Sequence, residues 1–178
     1  MYPLRPRIAT MIALMVCVSV AVLIPFESLS SNMQTQHLFK IERSKNENIV
    51  QYDVQMKADG TLDPKEPVVA YWVRLAKEGQ KEELKWVEKT FAYGFKVKYN
   101  AKTNTATMDM AAKINRKIKV LAVQDEYRAV TTIDDQSAYL EKIFISSKGK
   151  GASTEVTSIE LFGHDVKTGE DRYEKLDL

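Results

Sequence analysis

Val50-Gln51-Tyr52-Asp53-Val54-Gln55-Met56-Lys57, residues 50–57, alternates apolar and polar side chains without a break. A period of two belongs to a strand with one face on a core and the other toward water, and it does not fit a helix, whose period is 3.6. Asp59-Gly60 follows at once with turn chemistry.

The same period recurs outward from this stretch. Residues 68–75 are apolar on both faces apart from Arg74, as in a central strand, and Pro67 stands at the start where a missing donor is tolerated. Phe95, Val97 and Tyr99 alternate with Lys96 and Lys98, while Ala106, Met108, Met110 and Ala112 alternate with Thr105, Thr107 and Asp109. The residues between them, 100–104, read as a hairpin loop. Further strands are expected over 117–123, 127–133, 138–146, 156–162 and 171–176, with turn residues between them. One segment departs from the pattern. Leu84, Val87 and Phe91 fall at helical spacing among charged residues, so a single helix is expected over 80–93, with Gly94 as its left-handed terminator. About nine short strands and one short helix predict a mainly β fold, an antiparallel sandwich or a closed barrel. Too few helices are present to serve as crossovers in an alternating βαβ fold.

Composition narrows the function. The chain has 178 residues, 26 basic and 24 acidic side chains, and a net charge of +2. That near-balance argues against a polybasic nucleic-acid surface and against an acidic tail. Hydrophobic residues crowd the first thirty positions. Arg5 and Arg7 precede an apolar run over 8–24, Pro25 breaks it, and Ser28-Leu29-Ser30 offers small residues before a cut at Ser31. These are the parts of an export signal. The run also reaches the lower end of the about 17–25 residues a spanning helix needs, so an uncleaved anchor is the alternative. Lipidation of Cys17 is disfavoured, because Val16 precedes it and the apolar run continues past it. The organisation expected is a signal or anchor over 1–30, a linker over 31–36 and one β-rich domain over 37–178. Its destination is the periplasm or the extracellular space, with membrane contact only through an uncleaved leader. Cys17 is the single cysteine, so a cleaved domain has no disulfide, no thiol nucleophile and no thiolate metal site.

Residues 41–52 read Ile-Glu-Arg-Ser-Lys-Asn-Glu-Asn-Ile-Val-Gln-Tyr, and Pro67-Val68, Tyr71-Trp72, Glu88, Ala92-Tyr93-Gly94 and residues 159–163 follow. In these motifs the chain resembles a domain-of-unknown-function family of exported bacterial proteins, over most of 37–163. The resemblance implies a bacterial exported protein and brings no activity with it.

The motif has a physical reading of its own. Residues 43–49 are expected to join two strands. Ser44, Asn46 and Asn48 carry side chains that bond neighbouring backbone and tolerate left-handed geometry. They either build a rigid turn, or they form with Glu42 and Arg43 a polar pocket at the sheet's end. There Arg43 could grip a carboxylate or phosphate with both arms of its fork. Tyr71 and Trp72 must point to opposite faces of their strand, one into the core and the other under the helix or along a groove. The leading expectation is therefore a non-enzymatic module for an envelope ligand or protein partner, using Glu42, Arg43, Ser44, Asn46, Asn48, Tyr71 and Trp72.

Two other classes compete with it. Met56, Met108 and Met110 could line a lipid cavity in a closed barrel, or simply fill gaps. Glu42, Glu88 and His164 could serve a hydrolase, provided they converge in one cleft. His37 and His164 are the only histidines, without ligand spacing, and Lys148-Gly149-Lys150-Gly151 lacks the form of a phosphate-binding loop. No nucleophile elbow, zinc-protease helix or dinucleotide fingerprint occurs, so no cofactor is implied.

Overall fold

The computed structural model describes residues 33–111, 114–149 and 154–178. The expected leader, its cleavage point and Cys17 lie outside the described residues. In chain order the elements are β1 (Gln34–Arg43), β2 (Asn46–Met56), β3 (Val68–Arg74), a 3-10 turn (Leu75–Lys77), β4 (Gln80–Glu83), α1 (Trp86–Phe91), β5 (Phe95–Asn100), β6 (Thr105–Met110), β7 (Lys117–Val123), β8 (Glu126–Ile133), β9 (Gln136–Lys148), β10 (Glu155–Asp165) and β11 (Asp171–Asp177). β1 starts inside the stretch expected as a linker, and only Ser44 and Lys45 separate it from β2. Asn46 and Asn48 are therefore strand residues rather than turn residues.

The protein is mainly β with one short helix, and nine strands in the order β4-β3-β2-β1-β9-β8-β7-β6-β5 form a curled half-barrel. β10 pairs with β9 off this path, and β11 continues from β10. The pairings are antiparallel except one: Lys40–Arg43 of β1 run parallel to Lys142–Ile145 of β9. β9 uses one edge for two neighbours, β8 near its start and β1 further along, while its other edge carries β10. Where β1 diverges from β8 the Gln36 side chain completes the ladder. Its Nε2 donates to the Tyr127 carbonyl at 3.0 Å, and its Oε1 accepts the Tyr127 N–H at 2.9 Å. An amide side chain thus supplies the donor and acceptor that a missing strand residue would have provided.

The concave face holds the core. Val50, Tyr52 and Val54 of β2 are buried there with Phe39, Trp72, Met108 and Ile143. Phe39 and Tyr52 stack with centroids 4.4 Å apart. Each such side chain contributes about 1.5–3 kcal/mol on leaving water. That scale lets core burial hold the domain without crosslinks.

The connection after β3 corrects the expected helix. Residues 80–83 are strand, because Gln80–Glu83 pair with Tyr71–Arg74. Glu78 and Gly79, both left-handed at φ 54° and 79°, turn the chain back for that pairing. The helix proper is only Trp86–Phe91, opened by Glu88, whose Oε2 accepts the Lys85 N–H at 2.8 Å. Of the expected apolar stripe only Leu84 is buried, while Val87 is 59% and Phe91 71% exposed. Gly94 is no left-handed terminator either: a Cβ there would sit 1.7 Å from the Lys89 carbonyl oxygen. Glycine is required because β5 leaves directly against the last helical turn. Gly163 has the same cause, since its Cβ would meet the Tyr139 carbonyl oxygen at 2.0 Å where β10 shifts register on β9.

Candidate functional site

Trp72 is the centre of a polar and aromatic cluster at one end of the concave face. Its strand is central, between β2 and β4, so the parity that buries Val68 also buries Trp72. The indole Nε1 donates to Glu88 Oε2 at 3.0 Å, and Tyr93 packs edge-on at 5.2 Å. Two guanidinium groups lie over the ring, Arg74 at 4.6 Å and Arg43 at 5.1 Å from its centroid. Arg43 is also 5.3 Å from the Tyr93 centroid. A cation over an aromatic face is attracted to the ring's quadrupole, most strongly for tryptophan.

The two arginines differ in their counter-charge. Arg74 Nε donates to Glu82 Oε2 at 2.7 Å, an ion pair that raises its already high pKa. Arg43 has no ion-pair or hydrogen-bond partner among the described residues, and its Nε is buried and unbonded. An unpaired donor of this kind costs about 1–3 kcal/mol, more when charged, until an acceptor meets it. Burial pushes the Tyr93 phenol up to about 12; the Arg43 charge opposes this and Glu88 adds to it. Tyr93 is therefore neutral at physiological pH and acts as a packing surface for Arg43 rather than as a base.

A half-open groove of ≈ 810 Å³ is lined by Arg43 and Tyr93. Phe91 and Ala92 border it, and Ile145, Val156, Ile159 and Leu178 add apolar wall from β9, β10 and the chain's end. Glu155 also lines it and pairs with Lys148 at 3.0 Å.

The residues expected as one pocket divide among four places. Arg43 and Trp72 meet in the cluster just described. Glu42 points to the opposite face of β1, where it lies 2.6 Å from Lys40 and 3.8 Å from Lys142. The pocket joining Glu42 to Arg43 is thus excluded by strand parity. Ser44 is structural: its N–H donates to the Ile145 carbonyl at 3.1 Å and its Oγ accepts the Ser147 N–H at 3.2 Å, extending the parallel β1–β9 ladder. Asn46 Oδ1 accepts from the Asn48 N–H at 3.0 Å and from Asn48 Nδ2 at 2.9 Å, which ties down the start of β2. Asn48 Oδ1 is buried without a partner.

Tyr71 faces the other way from Trp72, as the period requires, and belongs to a second cluster. Its hydroxyl donates to Asp53 Oδ2 in a short hydrogen bond, and Gln51 Nε2 donates both to Asp53 Oδ1 at 2.8 Å and to the Tyr71 hydroxyl at 2.9 Å. His37 Nδ1 lies 3.2 Å from Asp53 Oδ1. Burial acts to raise the Asp53 pKa, but the bonds from His37, Tyr71 and Gln51 outweigh it and leave the carboxyl below its usual range. Burial and the Asp53 carboxylate both push the Tyr71 phenol up.

The hydrolase set does not converge. Glu42 is held by lysines, Glu88 by Trp72 and Lys85, and His164 Nε2 is 2.9 Å from Glu141 Oε1. The three belong to separate groups. Of the methionines, Met108 is fully buried in the packed core, and Met56 and Met110 pack against that core. No cluster of three or more potential metal-ligating side chains is found among the described residues.

Sequence reading had no hold on the groove's far wall. Ile145, Val156, Ile159 and Leu178 read as ordinary strand and terminal residues, and only the β1–β9 and β9–β10 pairings bring them to Arg43. Arg74 was visible as the one charge in an apolar strand, and Tyr93 as part of the Ala-Tyr-Gly motif.

Fold and groove together define a small mainly β domain, a half-barrel whose Arg43 has no ion-pair partner among the described residues and lies beside an apolar channel. The chain belongs to the family DUF4833, described as a domain of unknown function, whose model matches residues 39–175. No curated protein and no solved structure matches the chain.

Proposed function

We propose that this is a non-enzymatic, exported binding domain that captures an envelope ligand or partner through a carboxylate or phosphate held at Arg43. One observation carries the reading: Arg43 is clamped against Trp72 and Tyr93 with a buried, unbonded Nε and no carboxylate partner among the described residues, in the lining of an open groove. Guanidinium is the side chain best suited to gripping a planar or tetrahedral oxyanion in a fork. Stacking holds its plane before the ligand arrives, which reduces the ordering cost of binding. Export is supported by Arg5 and Arg7 ahead of the apolar run and by the small residues that follow it.

Thermal unfolding of the full chain, titrated with organic carboxylates and phosphates, tests this. A ligand at about a hundred times its Kd stabilises by about 2.7 kcal/mol. Arg43→Gln is expected to abolish the shift and His164→Ala to preserve it. Equal shifts in the parent and in Arg43→Gln would show that Arg43 serves structure alone.

A further inference from the structure

We infer that the groove's ligand is a single-chain acyl amphiphile, with its acid head on Arg43 and its hydrocarbon chain along Phe91, Val156, Ile159 and Leu178. The inference rests on the anion-capture reading and adds the ligand's class. Charge fixes the head. Arg43 is the only cation lining the groove among the described residues, and the one acid there, Glu155, is matched by Lys148. A neutral head could accept a hydrogen bond from the guanidinium but would leave its charge unmatched, whereas a carboxylate or phosphate does both.

The wall fixes the tail. A small inorganic anion would touch Arg43 and leave the apolar side of the groove wet. Phe91 and Leu178 are 71% and 61% exposed, and Phe91 packs edge-on against exposed Trp86 at 6.3 Å. Contiguous apolar surface of this kind on a small domain marks a site that something covers. The volume of ≈ 810 Å³ falls within the range of about 300–1,000 Å³ that holds ligands of this size.

Photolabelling of the full chain with a dodecanoate analogue carrying a mid-chain diazirine tests the assignment, because mapping the labelled peptides separates the groove from the apolar leader. Label is expected on peptides containing Phe91 or Val156. Dodecanoate and dodecyl phosphate should compete, and dodecanol, acetate and inorganic phosphate should not. Competition should strengthen with chain length, by up to roughly fourfold per buried methylene. Arg43→Gln should reduce groove labelling at least tenfold. Val156→Trp, which fills the channel while keeping Arg43, should do the same with an unchanged circular dichroism spectrum. Labelling confined to residues 1–30, or groove labelling indifferent to both substitutions, overturns the inference. Butanoate competing as well as dodecanoate also overturns it, yet leaves anion capture at Arg43 standing. Absence of any groove label overturns the amphiphile, and the Arg43-dependent thermal shift then decides the broader function by itself.

Discussion

Asp53 shows how a polar residue on the solvent-side parity of a strand can become a buried anchor. It is only 4% exposed, and its carboxylate accepts from Tyr71 and Gln51 and faces His37. Because its folded pKa lies below its unfolded value, the stabilisation is present above the unfolded pKa. It is lost as pH falls through the folded pKa. Urea unfolding at pH 7 and pH 3 is expected to show a steeper acid loss for the parent than for Asp53→Asn. At pH 7 the substitution should cost about 1–3 kcal/mol, since it leaves donors unmatched. Tyr71→Phe, which removes one donor and leaves the others, should cost less. The opposed directions of Tyr71 and Trp72 were legible from the period of two. The Asp53 cluster was not, because His37 and Asp53 become neighbours only through the β1–β2 register.

At the scale of elements, the segment from 80 to 94 separates local preference from tertiary demand. Its spacing suits a helix, yet Gln80–Glu83 gain more by completing a ladder with β3 than by adding a helical turn. A short helix has little intrinsic stability in water, so pairing partners decide. Gly94 then carries a constraint that no helix-end rule describes. Gly94→Ala is expected to destabilise by about 2–4 kcal/mol, because its Cβ would strike backbone that cannot yield. Gly60→Ala provides the contrast: φ is +78° but the space is open, so the cost should be about 1 kcal/mol. Urea midpoints at constant slope distinguish the two.

For the whole molecule, β9 is the hub. It pairs with β1, β8 and β10, and the parallel ladder to β1 closes a loop of about a hundred residues. Long-range pairings of this kind form late and hold the global stability. Amide hydrogen exchange is expected to be slowest at Ile143, Ile145 and Leu161, and fastest along the edge strands β4 and β11. Comparable exchange in β4 and β9 would contradict the hub role. The Arg43 groove depends on the same ladder, since β1 supplies its cation and β9 and β10 its apolar wall. Weakening the hub should therefore weaken ligand capture without touching a lining residue.

From composition and periodicity alone it followed that the described domain is β-rich, which face of each long strand is apolar, and that no cysteine follows Cys17. All of these are local or compositional: a period of two, a turn residue, a count. The sequence also singled out Arg43 and Trp72, through motifs whose members proved to serve separate places. Tertiary pairing alone leaves Arg43 without a carboxylate among the described residues and brings Val156 and Leu178 into its groove. Those facts depend on strand order and register, above all on the parallel contact between β1 and β9. Pairing energies between segments far apart in the chain leave no periodic trace within either segment.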